Sequence, residues 1–195
     1  MCAIPVAITI VSQVVSRMVA SVLPGEAVRE SAFTIRRATE PDQSAIAALV
    51  RGERLNPVDL DWRRFVVAAD PTGLLGAVQI RLHADHSREL GSLVVREDAR
   101  GRGLASRLLD ALLAPVPTRV FMITGASFMA HYERWGFRPI ATGLAPAPIR
   151  RNYYLGQILG GALSLLSARR PRRLAILQRH PQRLRDAKSF ALAFR

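Results

Sequence analysis

The stretch from Ser87 to Leu113, SRELGSLVVREDARGRGLASRLLDALL, constrains the fold more than any other because it reads as strand, loop and helix in immediate succession. Leu90, Leu93, Val94 and Val95 make a short β-rich run, and Arg96 to Gly103 is a polar turn with two glycines. Leu104, Leu108, Leu109, Leu112 and Leu113 then recur at three- and four-residue spacing, while Arg107 and Asp110 can face water. Glycines just before a helix let the backbone approach a ligand closely. The N–H groups of the first helical turn have no intrahelical partner, so the natural guest is an anionic phosphate. The spacing is neither a Walker loop, which needs Lys-Ser/Thr after the glycines, nor a GxGxxG dinucleotide loop.

The flanking segments predict a mixed α/β sheet. Phe33 to Arg37 reads as a first strand, and Thr39-Glu40-Pro41-Asp42 as a helix start with proline in the first turn. Ala45, Ile46, Leu49 and Val50 form a helical face that Asn56-Pro57 ends. Trp62 to Ala69 and Leu74 to Leu82 read as strands two and three around a turn at Asp70 to Gly73. His83 to Ser87 links these to the strand at Glu89 to Val95. Pro115-Val116-Pro117 closes the central helix, and Arg119 to Ile123 gives a fifth strand. Phe128 to Trp135 reads as a short helix ended by Gly136, before a strand at Phe137 to Ala141 and a seventh at Leu174 to Leu177. Strands joined by short turns, followed by alternating strand and helix, give the α/β class.

Two motifs point further. Arg100-Gly101-Arg102-Gly103-Leu104-Ala105 resembles the Arg/Gln-x-x-Gly-x-Gly/Ala signature of the GCN5-related N-acetyltransferase (GNAT) superfamily, whose backbone amides hold the pyrophosphate of acetyl-CoA. Phe128 to Phe137, FMAHYERWGF, resembles the second signature, in which a tyrosine four residues before Gly-Phe lies near the CoA sulfur; Tyr132 occupies that position. The resemblance runs from about Phe33 to about Ile140. It implies a mostly antiparallel central sheet of about seven strands, flanked by helices and splayed between strands four and five. It also pairs the seventh strand with the sixth, which makes the run at about 150–170 an insertion in that hairpin. The chain departs from the pattern at Gly125, where the family often has asparagine, and at His131, where it has an aromatic.

Acetyl transfer to an amine needs a base for the amine proton and a donor for the departing thiolate. Glu89 stands eleven residues before Arg100, the separation at which the resemblance places a general-base glutamate. Its alternative is a structural ion pair with Arg88 or Arg81. Tyr132 is the acid candidate, against an ordinary packing role with a satisfied hydroxyl. A backbone N–H of Leu93, Val94 or Val95 would face the oxyanion. Arg100, Gly101, Arg102, Gly103, Leu104 and Ala105 would hold the cofactor, with Arg96 and Arg102 adding charge. The function implied is an acetyl-CoA-dependent N-acetyltransferase moving an acetyl group to a primary amine of a small molecule or peptide by direct transfer. Its rival is a non-catalytic module, binding acyl-CoA or docking on nucleic acid or anionic membrane through a basic C-terminal third.

That third is defined by charge. Residues 134–195 carry twelve arginines and Lys188 against Asp186 alone, whereas residues 1–133 are nearly balanced. The tail lacks interleaved aromatics, which argues against nucleic acid and leaves peripheral membrane contact open. Tyr153 to Ala168 is an apolar run between arginine pairs. It reads as a helix over the acceptor side of the cleft, an interfacial membrane helix or a partner surface, and is too short for a comfortable bilayer span. The domain is expected over residues 32–179, with a basic tail at 180–195. Residues 1–31 form an extension: a flexible segment, a helix on the domain, or a stretch upstream of a start at Met18. It lacks a basic n-region and a small-x-small cleavage site. A single cysteine, Cys2, fits a reducing, cytoplasmic setting. Four scattered histidines offer no metal spacing, so no metal is expected. Composition leaves a homodimer open.

Overall fold

In a computed structural model, which describes residues 33–53, 55, 58–167 and 173–180, seven strands form one sheet in the order β1-β2-β3-β4-β5-β7-β6. These are β1 (Thr34–Arg37), β2 (Phe65–Asp70), β3 (Gly73–Leu82), β4 (Arg88–Val95), β5 (Val120–Gly125), β6 (Phe137–Pro139) and β7 (Leu174–Arg179). The helices are α1 (Gln43–Gly52), α2 (Leu104–Leu113) and α3 (Ala147–Ser167), with a 3₁₀ segment at Ala126–Trp135. Pairing is mostly antiparallel, and β4 runs parallel to β5. That parallel ladder registers only at Glu89↔Phe121 and Leu90↔Met122. The described residues fall into two units, one of residues up to 79 with 92–111, the other of residues 80–91 with those from 112 onward.

The first unit is built on a β1-β2-β3 meander. Asp70 shapes its hairpin by accepting from the Thr72 N–H at 2.8 Å and hydroxyl at 2.6 Å. Asp42 fixes the entry to α1, accepting from the Thr39 N–H at 2.7 Å and from Arg36 at 2.6 and 3.0 Å. Helix α1 then buries Ile46 and Val50 against Phe65, Val67, Ala77 and Val94. Gly76 lets β3 lie close to its neighbours, since a Cβ there would sit 2.8 Å from the Val94 carbonyl oxygen and 3.1 Å from Leu108 Cδ1.

The second unit gathers β5, β6, β7 and α3 around Phe121, Ala145, Ile149 and Ile176. Strand β7 pairs with β5 over six residues, Val120↔Arg179 to Gly125↔Leu174, and with β6 over three. It is therefore an interior strand as well as the partner of the sixth.

Several sequence expectations shift. Ala45 is exposed and Ala47 takes its inward place, because the stripe of α1 that packs on the sheet is centred on Ile46 and Val50 and Ala47 flanks it. Helix α1 ends at Gly52, while Asn56 and Pro57 lie outside the described residues. Strand β2 starts at Phe65 and not Trp62, because Asp61 accepts from the Arg63 N–H at 3.1 Å and winds Trp62–Arg64 into a 3₁₀ turn. The apolar run belongs to a longer helix that starts at Ala147. Among the described residues no helix is long and apolar enough to cross a membrane. The expected extension at 1–31 and most of the basic tail lie outside the described residues.

Candidate active site

In the first unit the chain leaves β4, makes a 3₁₀ turn over Glu97–Ala99 and enters α2 through Gly101 and Gly103. Both glycines have left-handed backbone, φ +81° and +72°, and among the described residues nothing lies within 4 Å of where a Cβ would project. The loop thus has an open side that any side chain would begin to fill. The Arg107 N–H donates to the Gly103 carbonyl at 3.2 Å, which makes Gly103 the N-cap. The N–H groups of Leu104, Ala105 and Ser106 therefore have no intrahelical acceptor, and the positive end of the helix dipole is added to them. The five expected apolar positions of α2, Leu104 through Leu113, are all buried and hold the helix in place.

The arginines of this loop divide into different tasks. Arg100 turns inward, donating from Nε to the Val95 carbonyl at 3.2 Å and from Nη2 to Glu53. Its guanidinium anchors the loop to β4 and to the end of α1. Arg96 is bonded to Asp98 at 2.6 Å. Arg102 lies over the Phe33 ring at 5.6 Å, and Arg107 over the same ring at 4.5 Å. Within β4, Val94 and Val95 are buried and Leu93 is half-buried. Ser92 just before them has φ +52°, an uncommon conformation for serine, and its hydroxyl accepts from Gln79 at 3.0 Å.

The second unit holds the two candidate catalytic side chains. Glu89 is an interior residue, 5% exposed, on a strand with neighbours on both sides. Its Oε2 accepts from Asn152 Nδ2 at 2.9 Å and meets His83 Nε2 at 2.8 Å, and its Oε1 lies 3.9 Å from Arg81 Nη1. Gly91 makes room for that guanidinium, since a Cβ there would sit 2.9 Å from Arg81 Nη1. Three elements converge on the carboxylate: the end of β3, the His83–Ser87 turn, and α3. The Arg81 pairing was legible in the sequence; the His83 and Asn152 contacts were not.

Tyr132 lies in the 3₁₀ segment, 2% exposed, with ring centroids of His131, Trp135 and Phe137 at 5.6, 6.2 and 6.4 Å. Burial raises its phenol above the usual value, partly offset by the Thr124 hydroxyl. It therefore stays protonated through the neutral and mildly alkaline range. His131 beside it is exposed, and desolvation together with Arg134 lowers its pKa. Among the described residues no group of three or more His, Cys, Asp or Glu could hold a metal ion.

A seven-stranded mixed sheet with one parallel β4-β5 pair, and a glycine loop opening the helix after β4, is the GNAT fold. Residues 61–139, the span with both the Arg100–Ala105 loop and Tyr132, match the acetyltransferase (GNAT) domain. None of the curated proteins compared with the chain matches it. Solved structures of the same fold include N-acetylglutamate synthase from Neisseria gonorrhoeae complexed with coenzyme A and L-arginine. It is 21% identical over 80% of this chain, with a TM-score of 0.58, and this chain covers 34% of that synthase's length. Rv2747 from Mycobacterium tuberculosis, also solved with CoA, is 23% identical over 76% of this chain and 99% of its own, with a TM-score of 0.55. Ard1 from Thermoplasma volcanium is 15% identical over 78% of this chain and 99% of its own, with a TM-score of 0.53.

Proposed function

We propose that the protein is an acetyl-CoA-dependent N-acetyltransferase of the cytoplasm that acts on a primary amine of a small molecule or peptide by direct transfer. The observation that carries this is the loop before α2. Two left-handed glycines leave open the side from which a diphosphate would meet the N–H groups of Leu104, Ala105 and Ser106. When bound, acetyl-CoA supplies an acetyl group already activated as a thioester.

The chain's own residues do the rest. The loop binds phosphate, and Arg100 holds the loop's shape through Val95 and Glu53. Backbone N–H groups of the Leu93–Val95 stretch face the charge that grows on the carbonyl oxygen. The Glu89 carboxylate provides the negative charge that draws a proton from the amine, and the Tyr132 phenol gives one to the sulfur. Both side chains are buried, and exclusion of bulk water strengthens each of these interactions.

A thiol-release assay with acetyl-CoA against a panel of amines tests the assignment. Glu89→Gln is expected to lower kcat by about a hundred- to ten-thousandfold while leaving CoA binding intact, in line with loss of general-base help. Wild-type turnover in that variant at neutral pH would reduce Glu89 to an ion-pair partner of Arg81.

A further inference from the structure

The Glu89 carboxylate is already occupied. Oε2 takes two hydrogen-bond donors, His83 Nε2 and Asn152 Nδ2, and Oε1 faces the Arg81 guanidinium. Its side chain is 7% exposed, whereas that of His83 is 13% exposed. Among the described residues no hydrogen bond engages His83 Nδ1, so this nitrogen is the open end of the pair. A ring whose Nε2 meets a carboxylate carries its proton there, and this leaves the Nδ1 lone pair as the acceptor.

We propose that His83 and Glu89 work as one proton-accepting dyad, in which Nδ1 of His83 takes the amine proton, Glu89 orients and charge-balances the ring, and Asn152 fixes the carboxylate. The proposal rests on the acetyl-transfer assignment and names the atom that receives the proton. As the amine nitrogen bonds to the acetyl carbon and the carbon–sulfur bond breaks, the amine proton moves to His83 Nδ1 and the sulfur takes one from Tyr132. Loss of the imidazolium proton to solvent and return of one to the phenolate restore both groups.

The surroundings suit a transient imidazolium. The facing groups are Arg81 from β3, Glu89 from β4, Asp85 from the turn and the neutral Asn152 from α3. Asp85 is ionised, held below the ordinary carboxylate range chiefly by the Ser87 hydroxyl at 2.6 Å. Two negative charges thus stand against Arg81 and the new cation, and the cluster becomes neutral when His83 is protonated. His83 itself is held by its backbone, where its N–H donates to the Ser87 carbonyl and its carbonyl accepts from His86, both at 2.9 Å.

Two measurements test this. Nitrogen-15 NMR of the imidazole in the unliganded wild-type protein should show neutral His83 as the Nε2–H tautomer; an Nδ1–H tautomer overturns the dyad. In the thiol-release assay, His83→Gln should lower kcat at neutral pH about a hundredfold with no change in the thermal shift produced by CoA. The double variant with Glu89→Gln should lose no more than the worse single, as groups acting as one unit do. Unchanged kcat in His83→Gln, or losses that multiply in the double variant, overturns the dyad while leaving acetyl transfer standing. Failure of the wild type to release thiol with any amine overturns acetyl transfer and, with it, the role given to Nδ1.

Discussion

Gly103→Ala separates the cost of a strained backbone from the cost of a filled cradle. Gly103 has φ +72°, and a left-handed conformation costs a residue with a Cβ about 1–2 kcal/mol. For a domain of this size each kcal/mol moves Tm by roughly 2–4 °C, so the unliganded variant should melt about 2–8 °C lower. That loss fits within the roughly 5–15 kcal/mol that keeps a domain folded. CoA at about a hundred times its Kd should stabilise wild type by about 2.7 kcal/mol, which is roughly 5–11 °C. The new methyl would project into the open side of the loop, where no atom of the described residues lies within 4 Å, and should remove more than half of that ligand shift. Gly73→Ala is the control. It sits in the β2-β3 hairpin at φ +125° with equally open surroundings, so it should lower Tm while keeping the full CoA shift. Differential scanning fluorimetry with and without CoA reads all three proteins. Equal CoA shifts in the two variants would refute the loop as the phosphate site, and no shift in wild type at millimolar CoA would refute the cofactor assignment.

Asp42→Asn should destabilise by about 1–2 kcal/mol in urea at neutral pH, since it weakens the Arg36 pair and the Thr39 cap but Arg36 is partly solvated. Because Arg36 holds the Asp42 carboxyl below the ordinary range, its stabilisation is present above the unfolded value of about 4 and fades as pH falls through the folded one. The gap between variant and wild type should therefore narrow in acid. Gly76→Ala should cost about 1–3 kcal/mol in the same assay by pressing a methyl onto the Val94 carbonyl and Leu108, and an unchanged midpoint would mean that β3 and β4 yield more easily than their packing implies. Tyr132→Phe keeps the ring packing and removes only the hydroxyl. Steady-state kinetics across pH should show its largest rate loss on the alkaline side, where bulk acid is scarce and burial keeps the wild-type phenol protonated.

What was legible in the sequence was local. The strand–loop–helix from Ser87 to Leu113 could be read because the periodicity of α2 and the left-handed glycines are short-range properties, and every apolar position singled out there is buried except Leu93, which is half-buried. The same holds for the Asp70–Gly73 turn and the helix start at Thr39. The start of β2 was placed three residues early because of the 3₁₀ turn at Trp62–Arg64, which α and β periodicities do not distinguish. Asn152 was illegible for another reason. It lies 63 residues from Glu89, between Arg151 and the apolar run that begins at Tyr153, and one amide there carries no signal until the fold places it. The same is true of Glu53, whose pairing with Arg100 joins the end of α1 to the glycine loop before α2. The pairing of His83 with Glu89 was likewise illegible until the fold set the turn before β4 beside that carboxylate.

The placement of Tyr132 shows how a distant strand completes a local motif. A 3₁₀ run of ten residues is longer than this geometry usually sustains alone, so Ala126–Trp135 needs support from outside. Both ends receive it from the chain around β7. At the start, the Ala126 N–H donates to the Arg173 carbonyl at 2.8 Å. At the finish, Gly136 turns the chain through φ +80°, and the buried Arg179 side chain donates to the Trp135 carbonyl at 3.0 Å and the Val116 carbonyl at 3.2 Å. Desolvation lowers the Arg179 pKa but does not discharge a guanidinium, and hydrogen bonds to carbonyls help its interior position to be tolerated. With β7 between β5 and β6, the residues that clamp Tyr132 are fixed by the six-residue ladder to β5. The FMAHYERWGF motif names the candidate proton donor, but residues 173–179, about forty positions later, hold it in place.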